Sequence, residues 1–227
     1  MHTNIAANEV EEWTNMLLIY KFAIEEVNTK LKILNEEFQY IHKHNPIEHL
    51  KDRVKKPKSI MKKLQRKGID ITIDNARKHI HDIAGIRVIC SFTSDIYTLF
   101  EMIKKQSDIK VIEVKDYIKS PKPNGYKSLH MIIEIPVFLS RKKEYVKVEI
   151  QIRTVAMDFW ASLEHKIYYK YDKSVPDNLM SELKQVADSI SQLDRKMENI
   201  HKTVNRYKES EDIKDDTQKL FVFSMPI

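Results

Sequence analysis

Two long stretches, one near each end of the 227-residue chain, carry apolar residues at alternating steps of three and four. In residues 9–44 the stripe consists of Ile24, Val27, Leu31, Leu34, Phe38 and Ile41. Near the other end it consists of Leu183, Val186, Ile190, Leu193, Met197, Ile200, Val204 and Tyr207. Because this spacing puts side chains on one face of a helix, both stretches are predicted to be long α-helices. Each stripe suits packing on its own domain or on another copy of the chain.

The segment between these helices alternates between short helical patterns and strand patterns. Helices are predicted after Pro57, from an N-cap near Asp74, and from Ser94 or Asp95 through IYTLFEMIKKQ. Strands are predicted at AGIRVICSF, IKVIEVKDY, SLHMIIEIPVF and EYVKVEIQIRT, and a further helix at VAMDFWASLEHKIYYKY. The pattern therefore predicts one α/β domain around a sheet of four or five strands.

Composition indicates a folded chain without disulfides. Hydrophobic residues make up 42% and charged residues 32%, with 3 glycines and 7 prolines, which is not the composition of a disordered chain. The single cysteine, Cys90, lies in the apolar run IRVICSF and is expected to be a buried, inert thiol. No apolar run approaches the roughly 18 residues of a membrane span, and the N-terminus lacks the form of a secretion signal. We expect a soluble cytoplasmic protein that does not bind a membrane.

Positive charge is concentrated in one segment of a chain whose net charge is +6. Residues 51–67 contain nine Lys or Arg and one acid. Such a run is typical of a solvated face, a nucleic-acid patch or a site for a phosphate-rich small molecule. A helix starting near Pro57 brings cationic and hydroxyl groups to its N-terminus and one side: Arg53, Lys55, Ser59, Lys63 and Arg66. This convergence favours a nucleoside triphosphate over a uniform duplex groove.

Two acids are candidates for chemistry. Alternation in VKVEIQIRT puts Glu149 on a polar strand face, in the row Lys147, Glu149, Gln151 and Arg153. A half-exposed antiparallel strand has the same pattern, but the neighbouring apolar strands suggest a mostly covered sheet, in which a polar row is the floor of a site. Asp82 opens the segment DIAGIRV, and two carboxylates at strand ends suit Mg²⁺ that completes its shell with phosphates. Alternatively, Asp82 caps a helix or pairs with Arg87.

The loop SPKPNGYKSLH contains an aromatic residue, Tyr126, directly after Asn-Gly. A connecting turn needs the Asn-Gly alone, whereas a tyrosine ring is suited to stacking on a nucleobase. Lys122 and Lys127 flank it and are candidates for holding that nucleotide's phosphates. His130 follows on the next strand, where a satisfied core histidine is the alternative. The run HIHD (79–82) resembles metal-dependent phosphohydrolases, but histidines with matching spacing do not accompany it.

Four of these segments, in this order, are similar to the synthetase domain of the RelA/SpoT homologue superfamily. They are RVKKPKSIMKKLQRKG, DIAGIRV, YIKSPKPNGYKSLH and VEIQIRTVAMDFWASLEHKIYYKY, within Leu50–Tyr171, and the short length resembles the small alarmone synthetases. The resemblance implies a nucleotidyltransferase-like, α+β fold with a mixed sheet of about five strands. It implies a Mg²⁺-dependent GTP diphosphokinase of the stringent response, which transfers pyrophosphate from ATP to the 3′-hydroxyl of GDP or GTP.

The resemblance also implies an organisation of the chain. Residues 49–172 would be the catalytic domain, residues 1–48 and 173–210 would carry the two long helices, and residues 211–227 would form a tail without an assigned role. The helices would assemble a homotetramer. The rival hypothesis is a non-catalytic, basic, oligomeric RNA-binding module, which gives no role to Asp82 and Glu149. RNA binding as an additional property stays open.

Roles for the donor nucleotide and the metal follow from the same resemblance. Arg53 and Arg87 would hold the two faces of adenine. The ATP phosphates would be bound by four further residues, namely Lys55, Ser59, Lys63 and Arg66. Asp82 and Glu149 would bind Mg²⁺, and Glu149 would also take the proton from the ribose 3′-hydroxyl.

Roles for the acceptor nucleotide are implied in the same way. Tyr126 would stack on guanine, and four residues would orient the nucleotide: Lys122, Lys127, His130 and Gln151. Two positions depart from the family pattern. Asp158 stands where many relatives have Asn, and Lys127 stands where others have Arg or Gln, a difference expected to tune the preference between GDP and GTP.

Overall fold

A computed structural model describes residues 2–42, 44–169 and 176–223, with side chains over 10–41, 44–167, 176 and 178–207. The helices are α1 (His2–His42), α2 (Pro57–Arg66), α3 (Ile73–His79), α4 (Thr93–Lys104), α5 (Val155–Tyr169) and α6 (Asp177–Phe223). The strands are β1 (Ile47–Val54), β2 (Ala84–Cys90), β3 (Lys110–Asp116), β4 (Leu129–Phe138) and β5 (Lys143–Thr154). The predicted α+β fold, with a five-stranded sheet and a long helix at each end, is confirmed.

The sheet is mixed, with the strand order β1-β2-β5-β4-β3. β2 and β5 are parallel neighbours, and the other pairs are antiparallel. Because paired residues share a face of the sheet, two polar rows cross it. One row contains Arg53, Gly85, Glu149 and Ile132, and the next contains Lys51, Arg87, Gln151 and His130. Segments far apart in the sequence therefore meet on one face.

The hydrophobic core lies on the opposite face of the sheet. Alternate β5 residues from Val146 to Ile152 are buried there under α1 and α4. On the polar face, α5 lies at the carboxyl ends of β2 and β5, where Asp158 contacts Arg87 and Arg153. The Glu149 and His130 side chains on this face are only 17% and 14% exposed. Its polar row forms the floor of a concave surface.

Strand β1 is the element that the sequence pattern did not predict. Its sequence, IEHLKDRV, is largely polar, and only Ile47 is fully buried. An edge strand needs one apolar face and pairs on one side, so its hydrophobic signal is weak. The end of β1, including Arg53, is the first part of the basic segment 51–67, which continues into α2.

Two helix caps differ from the prediction. The N-cap of α3 is Thr72, whose hydroxyl accepts the backbone N–H of Asn75 at 3.1 Å, and Asp74 lies inside the first turn. Helix α4 begins at Thr93, and the Asp95 carboxylate accepts the N–H of Phe92 at 3.1 Å. In α3 the capping oxygen comes from a residue two positions before the predicted one. In α4 it comes from the predicted Asp95, which lies inside the first turn and bonds back to the N–H of the N-cap residue Phe92.

Both terminal helices are longer than their apolar stripes. Within α1, Ile24 and Val27 are buried against the sheet. Helix α6 reaches Phe223 and so includes most of the tail that the sequence left without an assignment. Residues 224–227, and the segment 170–175 after α5, lie outside the described residues. No helix in the described ranges is both long and apolar enough to cross a bilayer.

Candidate active site

The polar rows form the floor of a pocket of about 160 Å³ on β1, β2 and β5. Arg53 and Arg87 line it from neighbouring strands, and Glu149 and Gln151 line it from β5. Gly85 lies between Arg53 and Glu149 in the strand register. Because Gly85 has no side chain, the floor stays open between a guanidinium and a carboxylate. The geometry suits a flat group held between cations and facing an acid.

Asp82 lies just before β2 and joins this pocket to helix α2. Its carboxylate accepts hydrogen bonds from Lys63 Nζ at 2.8 Å and from Lys55 Nζ. Burial would raise the pKa of Asp82, but the two lysines outweigh it and hold the pKa below its ordinary value. The pairing with Arg87 that the sequence left open is not the one observed.

The exposed side of α2 forms a cationic surface beside Asp82. It borders a concavity of about 540 Å³ lined by Lys55, Ser59, Lys62, Lys63, Arg66 and Lys67. The buried Ile60 and Leu64 fix the other side of the helix in the core. Lys56, the N-cap residue, makes no side-chain capping hydrogen bond. The basic side chains on this side of α2 therefore form an anion-binding surface.

The predicted phosphate ligands come together on this surface, and two more basic residues join them. Lys62 and Lys67 were not among the predicted ligands. The signal was available, because Lys62 follows Ser59 by three residues and Lys67 follows Lys63 by four. Both steps keep a helical residue on the same face.

Glu149 is the second acid, and it is held by two neighbours. Its Oε1 lies 3.4 Å from His130 Nδ1, and its Oε2 accepts a hydrogen bond from Gln151 Nε2 at 2.9 Å. Burial would raise the pKa of Glu149, but the contacts with His130 and Gln151 outweigh it, and the pKa lies below its ordinary value. The negative charge of Asp82 raises the pKa of Glu149. The two carboxylates therefore lie within electrostatic reach of each other.

The donor set of this acid pair suits a hard divalent cation. Two carboxylates offer oxygen ligands on adjacent elements, and the cationic surface of α2 lies alongside. The described residues contain no group of three or more His, Cys, Asp or Glu arranged to hold a metal ion. A pair of acids next to a phosphate-binding surface fits Mg²⁺, which keeps waters and takes phosphate oxygens as ligands.

The loop that carries Tyr126 packs closely against α6. Gly125 has φ +87°, and a Cβ there would lie 2.5 Å from the Ala187 Cβ, so a side chain is excluded. The Tyr126 hydroxyl makes a hydrogen bond of 2.7 Å with His130 Nε2. His130 is mostly buried and contacts a neighbour at each ring nitrogen, Tyr126 at Nε2 and Glu149 at Nδ1.

An aromatic and cationic cluster surrounds the Tyr126 ring. Lys122 Nζ lies 4.8 Å from the ring centres of both Tyr117 and Tyr126. The Tyr117 ring makes edge contacts with Tyr126 and His130, at 6.0 and 5.2 Å between centroids. Tyr117 was not predicted; its position directly after β3, beside the loop, was the available signal. This cluster adjoins Glu149 and Gln151 through His130.

Lys127 is the predicted site residue that the structure directs elsewhere. Its Nζ donates a hydrogen bond of 2.8 Å to Ser191 Oγ on α6. Burial, followed by the nearby Arg195, lowers the pKa of Lys127. Since the loop lies between the sheet and α6, it presents neighbouring side chains to different elements. The structure thus shows Lys127 in contact with α6, and its place in the acceptor-binding group stays a prediction.

Comparison with known proteins gives a consistent family match. The model for the region found in RelA / SpoT proteins matches residues 52–174. GTP pyrophosphokinase YwaC of Bacillus subtilis is 55% identical over 204 residues, covering 90% of this chain and 97% of that protein. GTP pyrophosphokinase YjbM of the same organism is 37% identical over 190 residues, covering 84% and 89%.

Solved structures give the same result. Small alarmone synthetase 2 from Bacillus subtilis superposes with a TM-score of 0.77 at 55% identity, covering 85% of this chain and 99% of that one. Small alarmone synthetase 1 from the same organism, bound to its product pppGpp, superposes with a TM-score of 0.79 at 36% identity, covering 86% and 99%.

Proposed function

Because the chain belongs to the family defined by the region found in RelA and SpoT proteins, we propose that it is a GTP pyrophosphokinase that makes the alarmones (p)ppGpp. The relatives named GTP pyrophosphokinase match nearly the whole chain, and one similar structure holds its product pppGpp. The observation that carries the proposal is a pair of charged carboxylates, Asp82 and Glu149, beside the cationic surface of α2. Transfer of pyrophosphate from ATP to the ribose 3′-hydroxyl of GDP or GTP requires such a site.

ATP occupies the β1–β2 side of the site in this proposal. Arg53 and Arg87 line the pocket from adjacent strands, and their planar guanidinium groups pack on the two faces of adenine. The triphosphate lies along α2, on Lys55, Ser59, Lys63 and Arg66. Because ATP carries about four negative charges, this surface offsets charge before the acceptor approaches.

Asp82 and Glu149 would hold Mg²⁺, which would neutralise charge on the phosphates during transfer. The lowered pKa values of both carboxyl groups support this role, since ionised oxygens are the ligands that the ion needs. Lys55 and Lys63 bond Asp82 in the structure. The two lysines are therefore placed to release Asp82 and to bind phosphate oxygens when ATP binds.

The acceptor nucleotide lies on the β4–β5 side. Tyr126 stacks on guanine, and Lys122, His130 and Gln151 orient the nucleotide. Glu149 takes the proton from the 3′-hydroxyl; a carboxylate is a weak base, so it must be held close to that hydroxyl. The contacts with His130 and Gln151 support this, because they fix the carboxylate and keep it ionised. Lys127 anchors the loop to α6 through Ser191.

We further propose that the enzyme is a cytoplasmic homo-oligomer, a homotetramer by the family resemblance. On α6, Leu193, Met197 and Ile200 are 60%, 52% and 57% exposed. Three apolar side chains at helical spacing suit burial against another copy of the chain. The rival hypothesis, a non-catalytic RNA-binding module, is not supported, because it explains neither the paired acids nor the similarity to pyrophosphokinases.

Incubation with ATP, Mg²⁺ and GDP or GTP tests the proposed function. We expect AMP and a guanosine nucleotide with two added phosphates, in equal amounts, by anion-exchange chromatography. Glu149→Gln should lower kcat by about 10²–10⁴-fold, the usual contribution of a general base. Nucleotide affinity, measured by calorimetry, should change little. AMP formation that does not depend on the guanosine nucleotide would overturn the proposed reaction.

Glu134→Gln is the matched control for that variant. Glu134 lies on the same face of the sheet as Glu149, on β4, and its ion pair is with Lys110 at 4.0 Å. It lines neither pocket of the site. Its kcat should stay within about twofold of the unmodified enzyme, as is usual for a substitution away from the reacting groups. Retained turnover in Glu149→Gln would remove Glu149 from its role.

A further inference from the structure

Arg153 is a nearly buried cation at the end of β5 that the proposed mechanism does not use. Its side chain is 5% exposed. The guanidinium donates to Asp158 Oδ1 at 3.1 Å, to Gln151 Oε1 at 3.0 Å and to the Tyr126 hydroxyl. A buried guanidinium persists where a carboxylate and further acceptors surround it. A fourth acceptor is Ser128 Oγ, at 3.4 Å from Nε. Two of the four acceptors belong to residues assigned to the acceptor nucleotide.

Asp158 holds a second arginine with the same oxygen. Its Oδ1 also accepts a hydrogen bond from Arg87 Nη1 at 3.2 Å. The Nε of Arg87 is buried without a hydrogen-bond partner among the described residues. The bond to Asp158 therefore fixes the guanidinium that the proposed function assigns to adenine. One carboxylate, on the first turn of α5, connects β2 and β5.

The contacts of Arg153 continue to the proposed base by two routes. Arg153 bonds Gln151 Oε1, which turns Gln151 Nε2 towards Glu149 at 2.9 Å. Arg153 also bonds the Tyr126 hydroxyl, which bonds His130, and His130 contacts Glu149. An amide has one donor end and one acceptor end, so the first contact sets the orientation of the second.

We propose that the buried pair Arg153–Asp158 is a positioning unit that sets the adenine-binding Arg87 and the acceptor-binding Tyr126 and Gln151 in one geometry. The inference rests on the proposed function, which assigns Arg87 to ATP and the other two residues to the acceptor. Asp158 touches neither nucleotide in this account. Its removal should therefore impair use of both substrates, whereas a residue that touches one nucleotide impairs use of that one.

The test is initial-rate kinetics with ATP and GDP varied independently, for the unmodified enzyme, Asp158→Ala and Asp158→Asn. We expect Asp158→Ala to lower kcat/KM for ATP and for GDP, each by at least about tenfold, because small displacements of positioning groups slow transfer strongly. Asp158→Asn keeps the shape and an acceptor oxygen and should recover part of both losses. A loss confined to GDP would show that Asp158 contacts the acceptor directly and would overturn the proposal.

Glu144→Gln supplies the matched control. Glu144 lies on the same strand as Arg153 and pairs with Arg77 at 3.2 Å, outside the site. Breaking this pair should leave both kcat/KM values within about twofold, even if the melting temperature falls. A lower melting temperature for Asp158→Ala with unchanged kinetics would reduce the unit to a structural role and overturn the proposal. An inactive unmodified enzyme would instead overturn the proposed function, and the inference with it.

Discussion

At the scale of single residues, Glu149 is subject to opposing influences on its pKa. Burial and the charge of Asp82 raise it, while His130 and Gln151 lower it, and the net pKa is below its ordinary value. A base acts in its deprotonated form, so activity should fall only as the pH drops through this lowered pKa. The same contacts that orient the carboxylate thus keep it ionised at neutral pH.

The role of His130 in setting this pKa is testable. His130→Ala removes the contact at 3.4 Å, which lowers the pKa of Glu149. The effect of burial, which raises this pKa, is then opposed less, so the pKa of Glu149 should rise. The acidic limb of the pH–kcat profile should then move towards higher pH, measured at saturating substrates. His49→Ala, an exposed histidine on β1, is the control and should leave the limb in place. An unshifted limb in His130→Ala would contradict the assignment.

Tyr126 is expected to act through its ring. Stacking of a base on an aromatic ring contributes about 1–3 kcal/mol, so Tyr126→Ala should weaken GDP binding by about 5- to 150-fold, with ATP-analogue affinity nearly unchanged by calorimetry. Tyr126→Phe keeps the ring but loses the hydroxyl contacts with His130 and Arg153. It should retain most of the GDP affinity. Equal losses for both nucleotides in Tyr126→Ala would argue against stacking.

Cys90 is expected to be chemically inert. The residue is fully buried, and burial, with smaller contributions from Asp95 and Glu48, raises the pKa of its thiol far above the ordinary value. Because the thiolate is the reactive form, the native protein should not react with a thiol reagent at pH 8. The unfolded protein in guanidinium should react fully, which serves as the internal control. Rapid labelling of the native protein would contradict the burial of Cys90.

At the scale of elements, α2 distinguishes two interpretations of the basic segment, a triphosphate-binding surface and a nucleic-acid patch. Lys63 lines the phosphate-binding surface and bonds Asp82, whereas Lys58 is exposed on the same helix and does not line it. If the helix binds a triphosphate, loss of the Lys63 charge should weaken ATP binding strongly and loss of the Lys58 charge should not. A diffuse nucleic-acid patch would treat the two lysines alike.

We therefore expect Lys63→Gln to raise the KM for ATP by at least about tenfold, the usual cost of a hydrogen bond to a charged group. Lys58→Gln should stay within about twofold. Steady-state rates at varied ATP and saturating GDP measure both values. Similar KM values for the two variants would contradict a specific triphosphate surface on α2.

The elements themselves were predictable to different degrees. Helix α2 and strand β5 have clear spacing signals, because each must bury one apolar side. Strand β1 was missed, since an edge strand needs few apolar residues. The start of α4 was placed too late, because Asp95 acts back on Phe92 from inside the helix. Such details depend on which side chain reaches a free N–H group, and composition does not determine this.

At the scale of the whole molecule, the site depends on strand order. Asp82 lies just before β2, and β2 is the parallel neighbour of β5, which carries Glu149, so the two carboxylates come within electrostatic reach of each other. The residue pattern pointed to both acids and to a shared metal ion, and the resemblance to the synthetase family supplied the identity of the bases and the direction of transfer. The direction of Lys127 towards α6 was not predictable from its place in the loop motif. Long-range contacts of this kind are set by tertiary packing, which single-sequence patterns do not report.

The proposed assembly is a further property of the whole molecule. The exposed Leu193 and Met197 on α6 suit an interface between copies. The mass of the unmodified protein in light scattering should be at least twice the 26.9 kDa of one chain. The double variant Leu193→Asp/Met197→Asp should have a lower mass. Asn199→Asp, at an exposed position of the same helix two residues after Met197 and therefore on a different face, is the control and should preserve the assembly. A monomeric unmodified protein at micromolar concentration would contradict this proposal.

The central claim is that Asp82 and Glu149, facing the cationic side of α2, form the site of pyrophosphate transfer. A crystal structure with Mg²⁺ and a non-hydrolysable ATP analogue tests it most directly. We predict the adenine between Arg53 and Arg87, the phosphates along α2, and the metal ion bound by both carboxylates. A nucleotide bound away from this face of the sheet, or a metal ion that contacts neither acid, would contradict the account.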